Sequence, residues 1–388
     1  MSIYAMSRAC ALYLFIEVVL NEGNDQMGSS LEGSGLSVLD DLDQEIVRAL
    51  HKNGRAAWSS IAAMANSSTS TVRRRFESLH SDGRLRVTGR VDVAGLDLAV
   101  PVMVQFRGRD SSRPDFLKSL QARQDVRYVA AVAGSAGCVA EIVMPSLVGV
   151  QRIIHEVTLQ FDVEAELFVV THTYTSGQDW LPDTVNREID VRQERMGSRL
   201  SREELIVLGL LLEDGRTSLS DLAEPIGKSE STARRILESL ISRDVVSFRV
   251  LVEPELLGFQ TSFWAWLNVE PSRLSAIGTE LAAMKETKTL FATAGRYNLV
   301  GQFVLRYHTD MHAFMTDVLG AIDGIKKSEI MMQTETYKRV WNMVSCSSYV
   351  GISGPDWLFK PPGSTLSSSD SPPETADTRL LEGGEGRW

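Results

Sequence analysis

Leu42, Ile46, Val47 and Leu50 recur at the spacing of one helix face, which predicts an amphipathic helix that Gly54 ends. Trp58, Ile61, Ala62 and Ala65 predict a short second helix, and Asn66-Ser67-Ser68 a turn with N-cap residues. A third helix is expected from about Ser70 to His80. Its apolar positions Val72, Phe76 and Leu79 are spaced i, i+4, i+7, so Arg73 and Arg74 turn to solvent. Leu85-Arg86-Val87 and Arg90-Val91-Asp92 flank Thr88-Gly89 and predict a two-stranded wing. Three short helices followed by a wing describe a winged helix-turn-helix.

Beyond the wing the pattern alternates: strand at Val100–Phe106, helix at Pro114–Arg123, strands near Val126–Ala133 and Cys138–Met144, helix at Leu147–Leu159, strand near Glu164–Thr173. That βαββαβ order is the ferredoxin-like plan, an antiparallel sheet with two helices on one face. The same series then returns. Leu205, Leu208 and Leu212, then Leu219 and Leu222, then Ala233, Leu237 and Leu240 mark three helices, with Ser201 and Glu204 as a capping box. Ser262–Val269, Ser275–Lys285, Leu290–Ala294, Leu299–Arg306, Met311–Leu319 and Ser328–Thr336 repeat the βαββαβ order. Pro225 in the second helix of this half removes an N–H and crowds the preceding turn, so that helix should end early or bend.

Gly54-Arg55 reappears as Gly215-Arg216, an offset of 161 residues. At that offset Ser59, Ala62, Ser68, Ser70, Thr71, Arg73, Arg74, Glu77, Ser78, Leu79 and Ser81 meet identical residues, and Ala133-Gly134 meets Ala294-Gly295. Chance rarely places so many ungapped matches in so short a window, so the chain reads as a tandem duplication of domain-sized units. The expected fold class is α+β. The expected domains are an N-terminal extension (1–38), winged helix-turn-helix 1 (39–94), sensing domain 1 (95–174), a polar linker (175–199), winged helix-turn-helix 2 (200–255), sensing domain 2 (256–346) and a disordered tail (347–388).

Leu42–Leu85 resembles the DNA-binding domain of the Lrp/AsnC family of transcriptional regulators, and the βαββαβ segments, with AGRYNLVGQFVLR at Ala294–Arg306, resemble that family's effector-sensing (RAM) domain. The chain is similar to a double-length variety. The resemblance implies double-stranded DNA as partner, an amino acid or related metabolite as effector, and homo-oligomers built through the sensing domains. Within one chain it implies an intramolecular pseudo-dimer acting on two half-sites. The family's sensing motif is a glycine followed shortly by an acid, close to GxYD. Here it reads Gly295-Arg296-Tyr297-Asn298 in the second half and Gly134-Ser135-Ala136-Gly137 in the first, so an effector site is expected at Gly295, Arg296, Tyr297 and Asn298.

DNA binding needs cations against phosphates and a helix that fits the major groove. The candidates are Ser68, Ser70, Thr71, Arg73, Arg74, Arg75 and Arg86 in the first half, with Arg84 and Arg90 beside them. In the second they are Lys228, Ser229, Ser231, Thr232, Arg234, Arg235 and Arg249, with Arg243. A solvated helix face is the ordinary meaning of one such cluster; its recurrence on the unburied face of both halves favours DNA. Arg75 faces Ile236 at the offset and is the weakest of the set.

The net charge of −10 leaves nucleic-acid binding to local basic patches. Cys10, Cys138 and Cys346 are too far apart for a disulfide framework, which points to a reducing, cytoplasmic setting. Cys138 reads as a small core residue, and Trp264, Trp266 and Met331-Met332 as packing at a sheet interface. His308 and His312 have no third ligand beside them, so no metal and no cofactor is expected. Ala9–Leu20 is too short to span a bilayer, and NEGNDQ follows where a signal cleavage site would stand. The folded protein is expected to start after Met27. One alternative is an enzyme resembling the sirohaem decarboxylases, for which His155, His172, Arg296, Arg306 and His308 are the candidates. Another is a sensor or scaffold with one degenerate DNA-binding domain.

Overall fold

The computed structural model describes residues 38–181 and 200–354, apart from 95 and 97. The expected extension up to 37, the linker from 182 to 199 and the tail from 355 lie outside the described residues.

The first helical unit is α1 (Asp41–Lys52), α2 (Trp58–Met64) and α3 (Thr69–Ser81), and β1 (Arg86–Arg90) follows. Asp40 caps α1 by accepting the Asp43 N–H at 2.8 Å, and Ser68 caps α3 by accepting that of Thr71 at 3.1 Å. Next come β2 (Val100–Arg107), α4 (Pro114–Ala122), β3 (Val126–Ala133), β4 (Cys138–Met144), α5 (Leu147–Gln160) and β5 (Glu164–Thr175). The second half repeats this order as α6 (Arg202–Glu213), α7 (Leu219–Ala223), α8 (Glu230–Ser242), β6 (Ser247–Leu251), β7 (Thr261–Val269), α9 (Leu274–Ala282), β8 (Thr287–Ala294) and β9 (Leu299–Leu305). It closes with α10 (Asp310–Ala313), which runs into a π-helical turn at Phe314–Leu319, and β10 (Ile325–Arg339). The Ser201–Glu204 capping box forms as expected, and α7 stops two residues before Pro225.

The wing differs from expectation. β1 runs straight through Thr88-Gly89 and pairs antiparallel with β6 of the other half, from Arg86↔Leu251 to Arg90↔Ser247. Its central pair, Thr88↔Arg249, joins two positions 161 residues apart, so the ribbon has a local twofold axis. Gly89 serves close approach rather than a turn: a Cβ there would lie 2.9 Å from the Leu211 carbonyl of α6. The neighbouring arginines obey the same axis. Arg55 donates to the Gly215 and Thr217 carbonyls at 2.6 and 3.0 Å; Arg216 donates to those of Gly54 and Ala56 at 2.6 and 3.1 Å.

The sheets also join across the halves. β5 pairs first with β2 and then, from Val169↔Ala294, with β8; β10 pairs first with β7 and then, from Met332↔Ala133, with β3. The eight strands thereby close into a barrel in the order β3-β4-β2-β5-β8-β9-β7-β10. Its interior is packed by Met103, Tyr128, Phe168, Trp264, Trp266, Phe291, Tyr297 and Met331. Helices α4 and α5 cover the outer face of one half, where Cys138 is buried, and α9 and α10 that of the other.

Two segments expected to be loose are packed. After β5, Trp180 donates its indole N–H to the Lys285 carbonyl at 2.9 Å; its counterpart Trp341 donates to that of Gln124 at 3.0 Å. Each tryptophan therefore clamps a loop of the opposite half. After β10, β11 (Asn342–Ser345) and β12 (Ser348–Ile352) extend the sheet into the stretch expected to be a disordered tail. Their turns place Val340 and Trp341, then Cys346 and Ser347, at φ of 49°, 61°, 48° and 56°. Left-handed two-residue turns normally announce themselves with Asn or Gly, and neither is present here.

Where these pieces meet, Glu253 accepts from Arg339 at 2.7 and 2.9 Å and from the Tyr349 hydroxyl at 2.7 Å, all buried. Burial pushes the Glu253 carboxyl up, but Arg339, Lys288 and the hydrogen bonds outweigh it and hold it below the usual carboxylate range. Lys288 beside them is buried, its ammonium 4.9 Å from the Trp180 ring centroid and without a hydrogen-bond partner. Burial, then Arg339, lowers it to about 7. Between that value and the unfolded lysine's ~10.4 the unfolded chain holds a proton that the folded chain lacks, so stability rises with pH. Lys338, also lowered to about 7 by burial, acts with the same sign. Lys288→Met is expected to raise stability at pH 7 and to shrink, without abolishing, the gain between pH 7 and 9. Urea unfolding at several pH values checks both.

Candidate nucleic-acid interface and sensing site

Helices α3 and α8 begin alike. Ser68 Oγ contacts the hydroxyls of Ser70 and Thr71 at 3.0 and 2.8 Å; Ser229 Oγ contacts those of Ser231 and Thr232 at 2.8 and 3.1 Å. Arg73, Arg74, Arg234, Arg235 and Lys228 are exposed, with Arg73 paired to Glu77 on its own helix at 2.8 Å. A surface pair of this kind exchanges readily for a phosphate, because it is worth under about 1 kcal/mol.

Five of the arginines named from sequence point elsewhere, among them Arg243, which pairs with Glu204 of the capping box. Arg75 is bound by Asp40 at 2.9 Å and Asp43 at 3.4 Å, tying α3 to the start of α1. Arg86 contacts the His80 ring at 3.1 Å and donates to the Tyr349 carbonyl at 3.3 Å. Arg249 meets Asp179 at 2.9 Å, and Arg90 takes that carboxylate's other oxygen at the same distance. Arg90 and Arg249 are occupied inside the protein because the wing is a ribbon between halves that faces the segment after β5, and Arg86, on the same ribbon, meets the segment after β10. Asp179, which had no motif around it, is the acid that anchors this ribbon.

The sensing residues also have partners within the chain. Asn298 accepts from the Val269 N–H at 2.8 Å and donates to the Val269 carbonyl at 2.7 Å, acting as a backbone clasp at the end of β7. Gly295 lies against the other half, where a Cβ would sit 2.7 Å from Phe168. Tyr297 is buried and donates to Glu329 at 2.5 Å; burial first, then this bond, raises its hydroxyl to about 12. Arg296 pairs with Glu166 at 3.0 Å and Glu329 at 3.6 Å, and Arg107 pairs with the same two acids at 2.8 and 3.4 Å. Ser135, in the first half's version of the motif, also donates to Glu329. The motif thus forms half of a charge cluster spanning both halves. Sequence reasoning missed Arg107, Glu166 and Glu329, which come from three separate strands.

The residues named for tetrapyrrole chemistry are dispersed. Arg296 is in that cluster, Arg306 stacks on Phe259 at 5.1 Å, and His172 packs edge-on to Tyr174. His155 and His308 are exposed on the outer side. Among the described residues no three His, Cys, Asp or Glu side chains are grouped to hold a metal, and no helix is long and apolar enough to cross a membrane.

Comparison with known proteins matches an AsnC-type helix-turn-helix domain at residues 39–80, a winged helix-turn-helix DNA-binding domain at 204–247 and an Lrp/AsnC ligand binding domain at 262–340. An uncharacterized HTH-type transcriptional regulator of Pyrococcus furiosus is 29% identical over 34% of this chain and 90% of its own length. The HTH-type transcriptional regulator FL11 of Pyrococcus abyssi is 24% identical over 36% of this chain and 94% of its own. Among solved structures, the siroheme decarboxylase NirDL aligns with 82% of this chain and 97% of its own at a TM-score of 0.56 and 13% identity, a likeness of fold.

Asn298→Asp tests the clasp. A carboxylate cannot donate to the Val269 carbonyl, so the change is expected to cost about 1–3 kcal/mol in urea unfolding.

Proposed function

We propose that this chain, which carries Lrp/AsnC-type domains at residues 39–80 and 262–340, is a sequence-specific, effector-responsive transcriptional regulator. It binds double-stranded DNA as an intramolecular pseudo-dimer produced by tandem duplication. The observation that carries this reading is the reciprocal geometry at the ribbon. Thr88↔Arg249 and the paired Arg55 and Arg216 bonds relate the two helical units by one local axis, which supports the reading that α3 and α8 address the halves of a pseudo-palindromic site. In this reading Ser68, Ser70, Thr71, Arg73 and Arg74 meet one half-site, and Lys228, Ser229, Ser231, Thr232, Arg234 and Arg235 the other. Arg75, Arg86 and Arg249 hold the frame.

An effector acts by linkage. Its differential affinity for two placements of the helix-turn-helix units changes DNA affinity, a coupling of about 1–3 kcal/mol. The Asp179 anchor and the two tryptophan clamps carry such a change, because each ties a DNA-binding or sensing element of one half to the other. A cytoplasmic location and further assembly of chains accord with this role.

Footprinting on the DNA upstream of the protein's own gene, across salt, tests the reading. Two spaced protected half-sites are expected, with affinity falling steeply as salt rises. Binding without a footprint would reduce the role to an architectural one, and no binding at low salt would remove the regulator reading. Arg73→Ala/Arg74→Ala and Arg234→Ala/Arg235→Ala are each expected to weaken binding and to lower the salt slope by about 1 for every phosphate that is no longer neutralised. The first pair should lose more, because α7 stops short before Pro225 and supports α8 less fully. Arg249→Ala should lower stability and leave the salt slope unchanged.

A further inference from the structure

Where β10 leaves β7 to join β3, the strands fork. Ser262↔Gln333 is the last pair with β7, and the register with β3 slips between Gln333 and Glu335. The fork opens a pocket of ≈310 Å³. The carboxylates of Glu255 and Glu335 line it, together with Gln260, Ser262, Thr334 and the Cys346-Ser347 turn of the β11–β12 hairpin. No Lys, Arg or His is in this wall, and among the described ion pairs neither carboxylate takes part in one. Ser262 is only 6% exposed, and its hydroxyl has no hydrogen-bond partner. A buried hydroxyl left unpaired is unfavourable, and a bound polar group would relieve it.

We propose that this pocket binds a small organic cation carrying ammonium groups, a diamine or related polyamine. Two carboxylates with no cation in the wall favour net positive charge. Among the described residues Glu335 accepts only the Tyr337 hydroxyl. Burial and then Glu253 push the Glu255 carboxyl up, against the opposing pull of Lys288 and Arg339 behind the wall, and an ammonium group would relieve that cost. A zwitterionic amino acid would bring a carboxylate that no cation of the wall receives. A bare divalent metal is disfavoured because no three acidic, His or Cys side chains converge here among the described residues.

The pocket is also placed to be felt by the first helix-turn-helix. Two residues beyond its Ser347 wall, Tyr349 donates its N–H to the Gly83 carbonyl at 2.7 Å and accepts from Arg86 through its own carbonyl at 3.3 Å. Gly83 follows the end of α3 at a φ of 69°, and a Cβ there would lie 2.4 Å from the Tyr349 carbonyl oxygen. A ligand that shifts the hairpin turn therefore presses on the helix assigned to one half-site. This coupling rests on the regulator reading; the binding site does not.

The test is calorimetric titration of the full chain with 1,4-diaminobutane, with glycine and Mg²⁺ or Ca²⁺ as comparison probes. Saturable binding of the diamine is expected, weakened at least tenfold in Glu255→Gln/Glu335→Gln and several-fold in Ser262→Ala, with unfolding midpoints showing both variants folded. Absence of saturable diamine binding, equal binding by the folded double variant, or displacement of the diamine by the metal ions would overturn the site. The diamine should also shift the footprint midpoint for the wild type and not for the double variant. Binding that leaves DNA affinity unchanged overturns the coupling alone. Should the protein bind no DNA, the titration still decides the site.

Discussion

An open sheet edge must find a partner, and in this chain each half finds it in the other. The outer strand of each βαββαβ sheet runs past its own sheet and completes the opposite one, β5 on β8 and β10 on β3. Unpaired strand N–H and C=O groups invite aggregation. Closure into a barrel removes that hazard and fixes the halves at both seams. The ribbon of β1 and β6 repeats the solution on the helical side. Once these pairings are made, the positions of α3 and α8, the crossing arginines and the tryptophan clamps follow with little freedom.

On this symmetric frame the chemistry is unequal. Tyr297 stands where the first half has Ala136, and Glu329 where it has Phe168, so the hydroxyl–carboxylate bond exists on one side only. The β11–β12 hairpin follows β10, whereas Ser176–Leu181 after β5 forms a turn and the Asp179 anchor. Arg339 stands where the first half has Gln178, so among the described residues the buried Glu253–Arg339 pair has no equivalent there. Symmetry sets the frame of the molecule, and asymmetry sets the chemistry that each half carries.

The helices, the strand order and its recurrence in the second half were legible because they rest on local periodicity and on identities at one offset. Val72, Phe76 and Leu79 face inward as their spacing requires, and Pro225 shortens its helix for the expected reason. What escaped was long-range. Thr88-Gly89 looked like a turn because a glycine between two short apolar runs usually is one; its role is to admit α6. Arg86 and Arg249 looked like free cations because Asp179 and Tyr349 are distant in sequence. The hairpin hid behind serines, since its turns use left-handed Trp, Cys and Ser rather than glycine.

Housing both halves in one polypeptide has an evolutionary consequence. In a dimer of identical chains every substitution appears twice, so a change that benefits one subunit must be tolerated by the other. Here a substitution falls on one side of the axis and leaves its mirror position untouched. The partner is tethered, so dilution does not separate the halves and neither is exchanged for a copy from another chain. In the proposed regulator role, such a frame would be free to read an imperfect palindrome, each arm tuned to its own sequence, with no need for a second gene to supply the difference.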